Sequence, residues 1–190
     1  MLATGNAGKL RELQSLLGPS FDLVPQSSLG VSEAAETGHT FLENALIKAR
    51  HASAVTLLPA IADDSGLEVA ALGGAPGVFS ARFAGAGATD ADNRDKLLAQ
   101  LAGLADRRAR FRCVLVLLRG PDDAAPVVAE GDWEGLIAEA PRGTLGFGYD
   151  PIFLDPASGF TAAELPASIK NARSHRGRAA ATLRQLLGDG

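Results

Sequence analysis

The chain opens on Met1-Leu2-Ala3-Thr4-Gly5-Asn6-Ala7-Gly8-Lys9, and a helical pattern begins immediately behind this stretch. This order of elements can hold an anion, because an apolar segment is followed by a polar glycine-rich loop, a lysine and a helix. Gly5 and Gly8 let backbone N–H groups approach a ligand because glycine lacks a Cβ atom, and the positive end of a helix attracts negative charge. An ordinary strand-to-helix turn is the alternative, since Gly and Asn are common in turns. The loop is not a P-loop, because Leu10 stands where that motif requires Ser or Thr.

Length, charge and cysteine content limit the function classes. The 190 residues suffice for one domain with a full core, or for two lobes that share one. A formal net charge of −4 argues against nonspecific nucleic-acid binding, which needs a basic surface. Cys113 is the single cysteine, which excludes an intrachain disulfide, and its apolar neighbours predict a buried, inert thiol. No apolar stretch approaches the ~20 residues of a membrane span, and the start lacks a signal-peptide pattern. We therefore expect a cytoplasmic enzyme or binding protein that has no membrane or nucleic-acid partner.

Hydrophobic periodicity predicts helices that alternate with strands in the first half and strands that cluster in the second. The predicted helices cover residues 8–17, 40–58, 90–104 and 174–187. The predicted strands cover residues 1–3, 21–25, 60–62, 110–119, 126–133 and 136–139, with a further strand at the start of the stretch 67–83. Residues 26–38 and 141–166 are predicted to be mostly loop. This mixture predicts an α/β protein with a mixed sheet.

The first strong candidate for chemistry is Asp63-Asp64-Ser65-Gly66, which we expect directly after the short buried strand 60–62. Adjacent strand residues point to opposite faces, so only one aspartate would address a given site unless the strand has already turned. Carboxylates at such an edge are suitable ligands for Mg²⁺, and a carboxylate base beside a metal-bound water is a common source of a nucleophile. The alternative is a polar turn.

Three residues near the second helix are weaker candidates. Glu36 is a possible second carboxylate, although a loop glutamate is usually only solvated. Asn44 and Lys48 lie four residues apart and so share one helix face, which could reach a phosphate or could simply be solvated. Glu43 already has a structural role, because Thr40 and Glu43 form the pattern of a capping box.

Two later segments contain residues that could bind a flat, polar ligand. In Gly146-Phe147-Gly148-Tyr149-Asp150-Pro151, two glycines flank Phe147, so its ring could stack on a base or could plug a turn. Lys170 and Ser174-His175-Arg176-Gly177 place cations at the start of a helix, where the dipole disfavours them. This placement indicates an anionic or carbonyl-bearing ligand, and a solvated basic patch is the alternative.

Taken together, the motifs recur in a fixed order along essentially the whole chain. Besides the opening loop, they are Thr40-Phe41-x-Glu43-Asn44-Ala45, Asp63-Asp64-Ser65-Gly66-Leu67, Gly73-Gly74-x-Pro76-Gly77, Ser80-Ala81-Arg82, Gly146-Phe147-Gly148-Tyr149-Asp150-Pro151, Thr161-x-x-Glu164-Leu165 and Ser174-His175-Arg176-Gly177. In these motifs the chain resembles the inosine triphosphate pyrophosphatase family of house-cleaning, non-canonical purine nucleoside triphosphatases. Each motif alone is weak, whereas their shared order and spacing are specific.

The resemblance implies one domain over residues 1–190, with two lobes, a long mixed twisted sheet, flanking helices and a central cleft. It also implies a homodimer. The implied reaction is Mg²⁺-dependent hydrolysis of ITP, dITP and XTP to the monophosphate and pyrophosphate, which would cleanse the nucleotide pool.

The resemblance further implies roles for residues at matching positions. The triphosphate would be bound by Thr4, Gly5, Asn6, Ala7, Gly8 and Lys9. Asp64 would be the proton acceptor and a metal ligand, Lys9 and Lys48 would assist at the phosphates, and Ser65 would contact substrate. The base would be bound by Phe147, Gly148, Tyr149, Asp150, Lys170, His175 and Arg176.

The chain departs from the family pattern at two positions. Ala35-Glu36-Thr37-Gly38 stands where Glu-Glu-Thr-Gly is common, so Glu36 is expected to act as the substitute second metal ligand. Leu145 stands where a glycine often precedes the Phe147 loop, which could stiffen that loop. Neither departure affects Lys9 or Asp64.

Two other functions are kept as alternatives. The first is a house-cleaning pyrophosphatase of the septum-inhibitor type, which prefers modified pyrimidine nucleotides; the motif Ser174-His175-Arg176-Gly177 argues against it. The second is a nucleotide-binding regulator without catalytic activity, against which the presence of both Lys9 and Asp64 argues.

Overall fold

The structure is a computed structural model that describes residues 1–18 and 21–188. Its helices are α1 (Ala7–Leu17), α2 (Phe41–Thr56), α3 (Asp90–Gln100), α4 (Ala167–Arg173) and α5 (His175–Leu187). Its strands are β1 (Leu2–Ala3), β2 (Ala60–Val69), β3 (Arg108–Leu118), β4 (Val127–Ile137) and β5 (Phe153–Leu154). Short 3₁₀ turns cover Gln26–Leu29, Ala70–Leu72, Gly77–Arg82 and Asp150–Ile152. No helix among the described residues is long and apolar enough to cross a membrane.

The strands form one five-stranded sheet in the order β1-β2-β3-β4-β5. The sheet is mixed, because β1 pairs with β2 in parallel whereas β4 pairs with β5 in antiparallel orientation. The predicted α/β class with a mixed sheet is therefore confirmed. The predicted strand 21–25 is wrong: only Pro25 forms an isolated bridge, with Leu2. The separate strands predicted at 126–133 and 136–139 are one continuous strand, β4.

The main correction concerns β2, which continues through Asp63-Asp64-Ser65-Gly66 to Val69. The prediction of a short strand that ends at residue 62 is wrong, and so is the alternative that this segment is a polar turn. Asp is disfavoured in strands, and a buried charge is tolerated only when it is paired. Here Asp63 and Asp64 each contact a lysine, so β2 keeps both aspartates in its interior.

The chain divides into two compact units, and the division falls within β2, β3 and β4. Unit 1 consists of Met1–Ser65, Cys113–Gly131 and His175–Gly190, and unit 2 consists of Gly66–Arg112 and Asp132–Ser174. The core of unit 1 is formed by one face of α1, by α5 and by strand residues. In α5, Ala179 and Leu183 are buried, whereas Leu186 is exposed.

Unit 2 has its own core, which is rich in aromatic residues. Phe111, Trp133 and Phe153 pack ring against ring, with centroids 4.5 to 6.4 Å apart. Leu97 of α3 belongs to the same cluster. The predicted helix 90–104 ends earlier, at Gln100. Helix α4 covers Ala167–Arg173, for which no helix was predicted.

Candidate active site

The opening loop is a helix cap that is already formed in the free protein. Asn6 is the N-cap of α1, and its Oδ1 accepts hydrogen bonds from the N–H groups of Gly8 at 2.9 Å and Lys9 at 3.0 Å. The N–H of Asn6 donates to Thr4 Oγ1 at 3.2 Å. The side-chain oxygen of Asn6 therefore stabilises the helix start, while residues Gly5, Asn6 and Ala7 are exposed to solvent.

The side chain of Glu33 lies close to Gly5. A Cβ atom at Gly5 would lie 1.6 Å from Glu33 Oε1, which is the far end of an exposed, flexible side chain and could move aside. The segment around Glu33 thus lies against the opening loop.

Asp63 is fully buried and is the hub of a cluster of side chains in unit 1. Its Oδ1 accepts from Lys9 Nζ at 2.5 Å and from Ser65 Oγ at 3.2 Å. Its Oδ2 accepts from Arg176 Nε and from Cys113 Sγ, both at 3.1 Å. Asp63 was not predicted as a site residue; its position beside Asp64 was the only signal in the sequence.

Arg176 completes this cluster with two further hydrogen bonds. Its Nη1 donates to Glu12 Oε2 at 2.5 Å, and its Nη2 donates to Ser65 Oγ at 2.8 Å. The guanidinium is 2% exposed, so its partners Asp63 and Glu12 compensate its charge. Glu12 was also not predicted, although it follows Lys9 by three residues and therefore lies on the same face of α1.

The charges of this cluster keep Asp63 ionised. Burial alone would raise the pKa of Asp63, but Arg176, Lys9 and Lys48 hold it well below its usual range. Burial likewise disfavours charge on Arg176, yet Asp63 and Glu12 raise its pKa. Burial also raises the pKa of the Cys113 thiol well above its usual range, in agreement with the predicted buried, unreactive cysteine.

Asp64 points to different partners, as the alternation of strand residues predicts. Its Oδ1 accepts from Lys48 Nζ at 2.6 Å, and its Oδ2 accepts from Asn44 Nδ2 at 3.4 Å. Asn44 is fully buried, and its own Oδ1 accepts from the N–H of Gly38 at 2.8 Å. The shared helix face of Asn44 and Lys48 is therefore packed against Asp64, and the alternative of a solvated face is wrong.

Lys48 joins Asp64 to the second candidate carboxylate. Its Nζ lies 2.8 Å from Glu36 Oε1 as well as 2.6 Å from Asp64 Oδ1. Burial would lower the pKa of Lys48, but the carboxylates of Asp64, Glu36 and Asp63 raise it, so the ammonium stays charged. One cation is thus held by Glu36 and Asp64 together, which is the pair predicted from the sequence.

The environment of Asp64 suits a proton acceptor. Burial raises the pKa of Asp64, the cations of Lys48 and Lys9 lower it, and the net shift is upward from the usual value. A carboxylate with a raised pKa is a stronger base when it is ionised, and general bases work best when their pKa approaches the working pH. Perturbed carboxylates of this kind are concentrated at functional sites.

The residues near Asp64 decide whether a metal ion could be held there. Within residues 1–18 and 21–188, no group of three or more His, Cys, Asp or Glu side chains is arranged to hold a metal ion. Mg²⁺, however, is commonly bound by one or two protein carboxylates together with substrate phosphates and water. Glu36 and Asp64 therefore form a donor set that fits Mg²⁺ only in the presence of a phosphate ligand.

In unit 2, the predicted base-binding residues form a loop organised around Asp150. Asp150 Oδ2 accepts from the N–H of Phe147 at 2.8 Å and from Lys170 Nζ at 2.5 Å. A Cβ atom on Gly146, whose φ is +77°, would lie 2.0 Å from the same oxygen. The loop therefore requires glycine at this position for both its backbone conformation and its closeness to Asp150.

The loop divides into a buried part and an accessible part. Tyr149 and Asp150 are buried, and the Tyr149 hydroxyl donates to the Ser80 carbonyl at 2.9 Å. Phe147 and Gly148 are half-buried, and Lys170 Nζ lies 5.2 Å from the centre of the Phe147 ring. Phe147 is thus the member of the loop that can offer a ring face to a ligand, whereas Tyr149 and Asp150 support it.

The predicted site residues therefore fall into two groups, one in each unit. Phe147, Gly148, Tyr149, Asp150 and Lys170 belong to unit 2. The opening loop, Lys48, Asp64, Ser65, His175 and Arg176 belong to unit 1. His175 is buried at the first turn of α5, and the role of His175 and Arg176 in reading a base stays a prediction.

Comparisons with known proteins find relatives that match this chain over nearly its whole length. The model of the Ham1 family matches residues 1–186. A protein of Methylococcus capsulatus named dITP/XTP pyrophosphatase is 61% identical over 98% of this chain and 94% of its own length. Its namesake in Escherichia coli K12 is 56% identical, over 100% and 98% respectively. A solved HAM1 protein from Coxiella burnetii superposes with a TM-score of 0.91 at 51% identity, over 100% of this chain and 98% of its own. These matches extend over nearly the full length, and the chain belongs to the Ham1 family.

Proposed function

We propose that this protein hydrolyses dITP, XTP and ITP to the nucleoside monophosphate and pyrophosphate with the help of Mg²⁺. The class of enzyme, a hydrolase acting on phosphoanhydride bonds of nucleoside triphosphates, follows from relatives at 56 to 61% identity that are named dITP/XTP pyrophosphatase. The observation that carries the finer proposal is the buried carboxylate of Asp64, held by Lys48 and Asn44 with its pKa raised.

In this proposal Asp64 accepts the proton of a water that attacks the α-phosphorus. The carboxylate is 5% exposed, so few solvent molecules compete for it, and Asn44 and Lys48 fix its orientation. Positioning and charge compensation dominate phosphoryl transfer, because the transition state spreads negative charge over the phosphate oxygens. Lys48, whose raised pKa keeps it charged, supplies one of these compensating charges.

The opening loop and Lys9 would hold the departing pyrophosphate. The N-terminus of α1 presents backbone N–H groups and a partial positive charge. Lys9 carries a full charge but is paired with Asp63 in the free protein, so we expect it to be shared with the phosphates in the complex. Thr4 and Gly5 complete the loop, and Ser65 adjoins it through Asp63.

Mg²⁺ would be held by Glu36 and Asp64, the two carboxylates that Lys48 bridges. When bound there, the ion would neutralise charge on the triphosphate oxygens. Lys48, which lies between these two carboxylates, would add a further positive charge near the phosphates.

Selection of the base would fall to the Phe147 loop, Lys170, His175 and Arg176. Phe147 would stack on the purine, and hydrogen-bond donors would recognise its 6-oxo group. A purine with a 6-amino group would present a donor to these donors, and an unpaired buried polar group costs about 1–3 kcal/mol. Adenine nucleotides would thus be rejected.

We further propose that residues 1–190 act as one functional domain in a homodimer in the cytoplasm. Size-exclusion chromatography with light scattering tests the dimer. A monomer at all concentrations would contradict it.

A nucleotide panel tests the substrate proposal. Purified protein with Mg²⁺ is assayed for pyrophosphate release from dITP, XTP, ITP, dATP, dGTP and a set of modified pyrimidine triphosphates. We expect kcat/KM for dITP, XTP and ITP to exceed that for dATP by about tenfold or more, the factor that corresponds to one unpaired buried group.

The same panel separates the two alternatives. Preferential turnover of modified pyrimidine nucleotides would show a septum-inhibitor type of specificity. Nucleotide binding without turnover under Mg²⁺, Mn²⁺ or Co²⁺ would show a regulator. Equal rates with dATP and dITP would contradict the proposed reading of the 6-oxo group.

A further inference from the structure

Two side chains of helix α3 form hydrogen bonds with the backbone of Gly148, one with its N–H and one with its carbonyl. Asp90 Oδ2 accepts a hydrogen bond from the Gly148 N–H at 2.7 Å, and Arg94 Nη1 donates to the Gly148 carbonyl at 2.7 Å. Asp90 and Arg94 are four residues apart and so lie on one face of α3. Both backbone groups of a single loop residue are therefore bound by charged side chains that are more than 50 positions away in sequence.

Asp90 is not needed to begin the helix. Thr89 is the N-cap of α3: its side chain accepts from the N–H of Asp92, and the Asp92 carboxylate accepts from the N–H of Thr89 in return. This reciprocal pair is a complete capping box. The carboxylate of Asp90 instead contacts Gly148, so helix capping does not explain the presence of an aspartate there.

Asp90 and Arg94 together form a clamp on Gly148, and this clamp lies next to Phe147 in the loop. Gly148 directly follows Phe147, whose N–H is held by Asp150. Hydrogen bonds thus fix the chain on both sides of the Phe147 side chain. Hydrogen bonds with one ionised partner are about twice as strong as neutral ones, so loss of Asp90 or Arg94 would free the ring to change its direction.

We propose that Asp90 and Arg94 are positioning residues that set the orientation of the Phe147 ring and thereby the affinity for the purine base. This inference rests on the proposed function, in which Phe147 stacks on the base. It assigns specificity to a helix that contains none of the residues expected to contact substrate.

The test compares Asp90→Ala and Arg94→Met with two reference variants. Asp90→Asn keeps an oxygen that can accept from the Gly148 N–H, so it is the rescuing substitution. Asp95→Asn is the matched control, because Asp95 is exposed on the same helix and outside the clamp. For each protein, steady-state kinetics with dITP and hydrogen exchange of the loop peptide containing residues 146–148 are measured.

We expect Asp90→Ala and Arg94→Met each to raise KM for dITP by about tenfold, as loss of one charge-assisted hydrogen bond would do. The value of kcat should stay within about twofold, because the clamp does not touch the phosphates. The loop peptide should exchange faster in both variants. Asp90→Asn and Asp95→Asn should resemble the wild type in both measurements.

Two results would overturn the inference. Unchanged loop exchange in Asp90→Ala and Arg94→Met would show that the clamp does not fix the loop, whether or not the protein is active. Faster exchange with wild-type KM would show that loop order does not set base affinity. An inactive wild-type protein would instead refute the proposed function, and the exchange data would still decide whether the clamp holds the loop.

Discussion

Asp64→Asn is expected to lower kcat for dITP hydrolysis by roughly 10²- to 10⁴-fold, the usual contribution of a general base. The amide has nearly the same shape as the carboxylate but cannot accept the proton of the attacking water. Its carbonyl oxygen can still accept from Lys48, so the fold should be kept. Initial rates at saturating substrate measure the effect, and circular dichroism on heating checks that the variant is folded.

The control for this substitution is Asp122→Asn, which removes an exposed aspartate from the connection between β3 and β4. It should keep wild-type kcat. If Asp64→Asn were as active as Asp122→Asn, Asp64 could not be the base, and the proposed mechanism would be wrong.

Asp63→Ala is expected to lower the free energy of unfolding by about 3–5 kcal/mol, the usual effect of removing one partner of a buried ion pair. Asp63 has no exposed surface, and its loss would leave Arg176 and Lys9 without their shared counter-charge. Urea denaturation followed by circular dichroism measures the change. The reading of Asp63 as the structural hub of unit 1 depends on this result.

Asp106→Ala is the matched control, because Asp106 forms an ion pair of good geometry with Arg108 on the surface. Exposed pairs contribute little to stability, since water and salt screen them. A similar loss of stability in both variants would contradict the proposed difference between a buried hub and a surface pair.

The acid stability of Asp63→Ala should differ from that of the wild type as well. The pKa of Asp63 in the folded protein lies well below the value of 3.8 that an unperturbed aspartate has. Its contribution to stability is therefore complete above that unperturbed value and is lost as the pH falls further, through the lowered pKa. Asp63→Ala should show a weaker dependence of unfolding free energy on pH in this range than the wild type.

Much of the fold could be predicted because its local signals are strong. The capping box at Thr40 and Glu43 marked the start of α2 correctly, and Phe41, Ala45, Ala49 and Ala52 are buried on that helix. The failures arise where tertiary contacts override local preference. Asp63 and Asp64 look like a turn in isolation, and only distant cations allow them to remain in β2.

The candidate site shows the same limit. The structure brings Glu36 and Asp64 to the same lysine, Lys48, whereas the role of the two carboxylates as metal ligands stays a prediction. Asp63 and Glu12 were missed, since nothing local shows that they face Arg176, which lies more than a hundred residues later in the chain. The clamp on Gly148 is likewise visible only once α3 is placed beside the loop.

Hydrolysis of dITP in H₂¹⁸O, followed by mass spectrometry of both products, tests the central claim most directly. Attack of water on the α-phosphorus predicts one ¹⁸O atom in dIMP and none in pyrophosphate after a single turnover. Labelled pyrophosphate with unlabelled dIMP would place the attack on the β-phosphorus. Labelled orthophosphate together with dIDP would show cleavage at the γ-phosphorus. Either of the last two results would contradict the account.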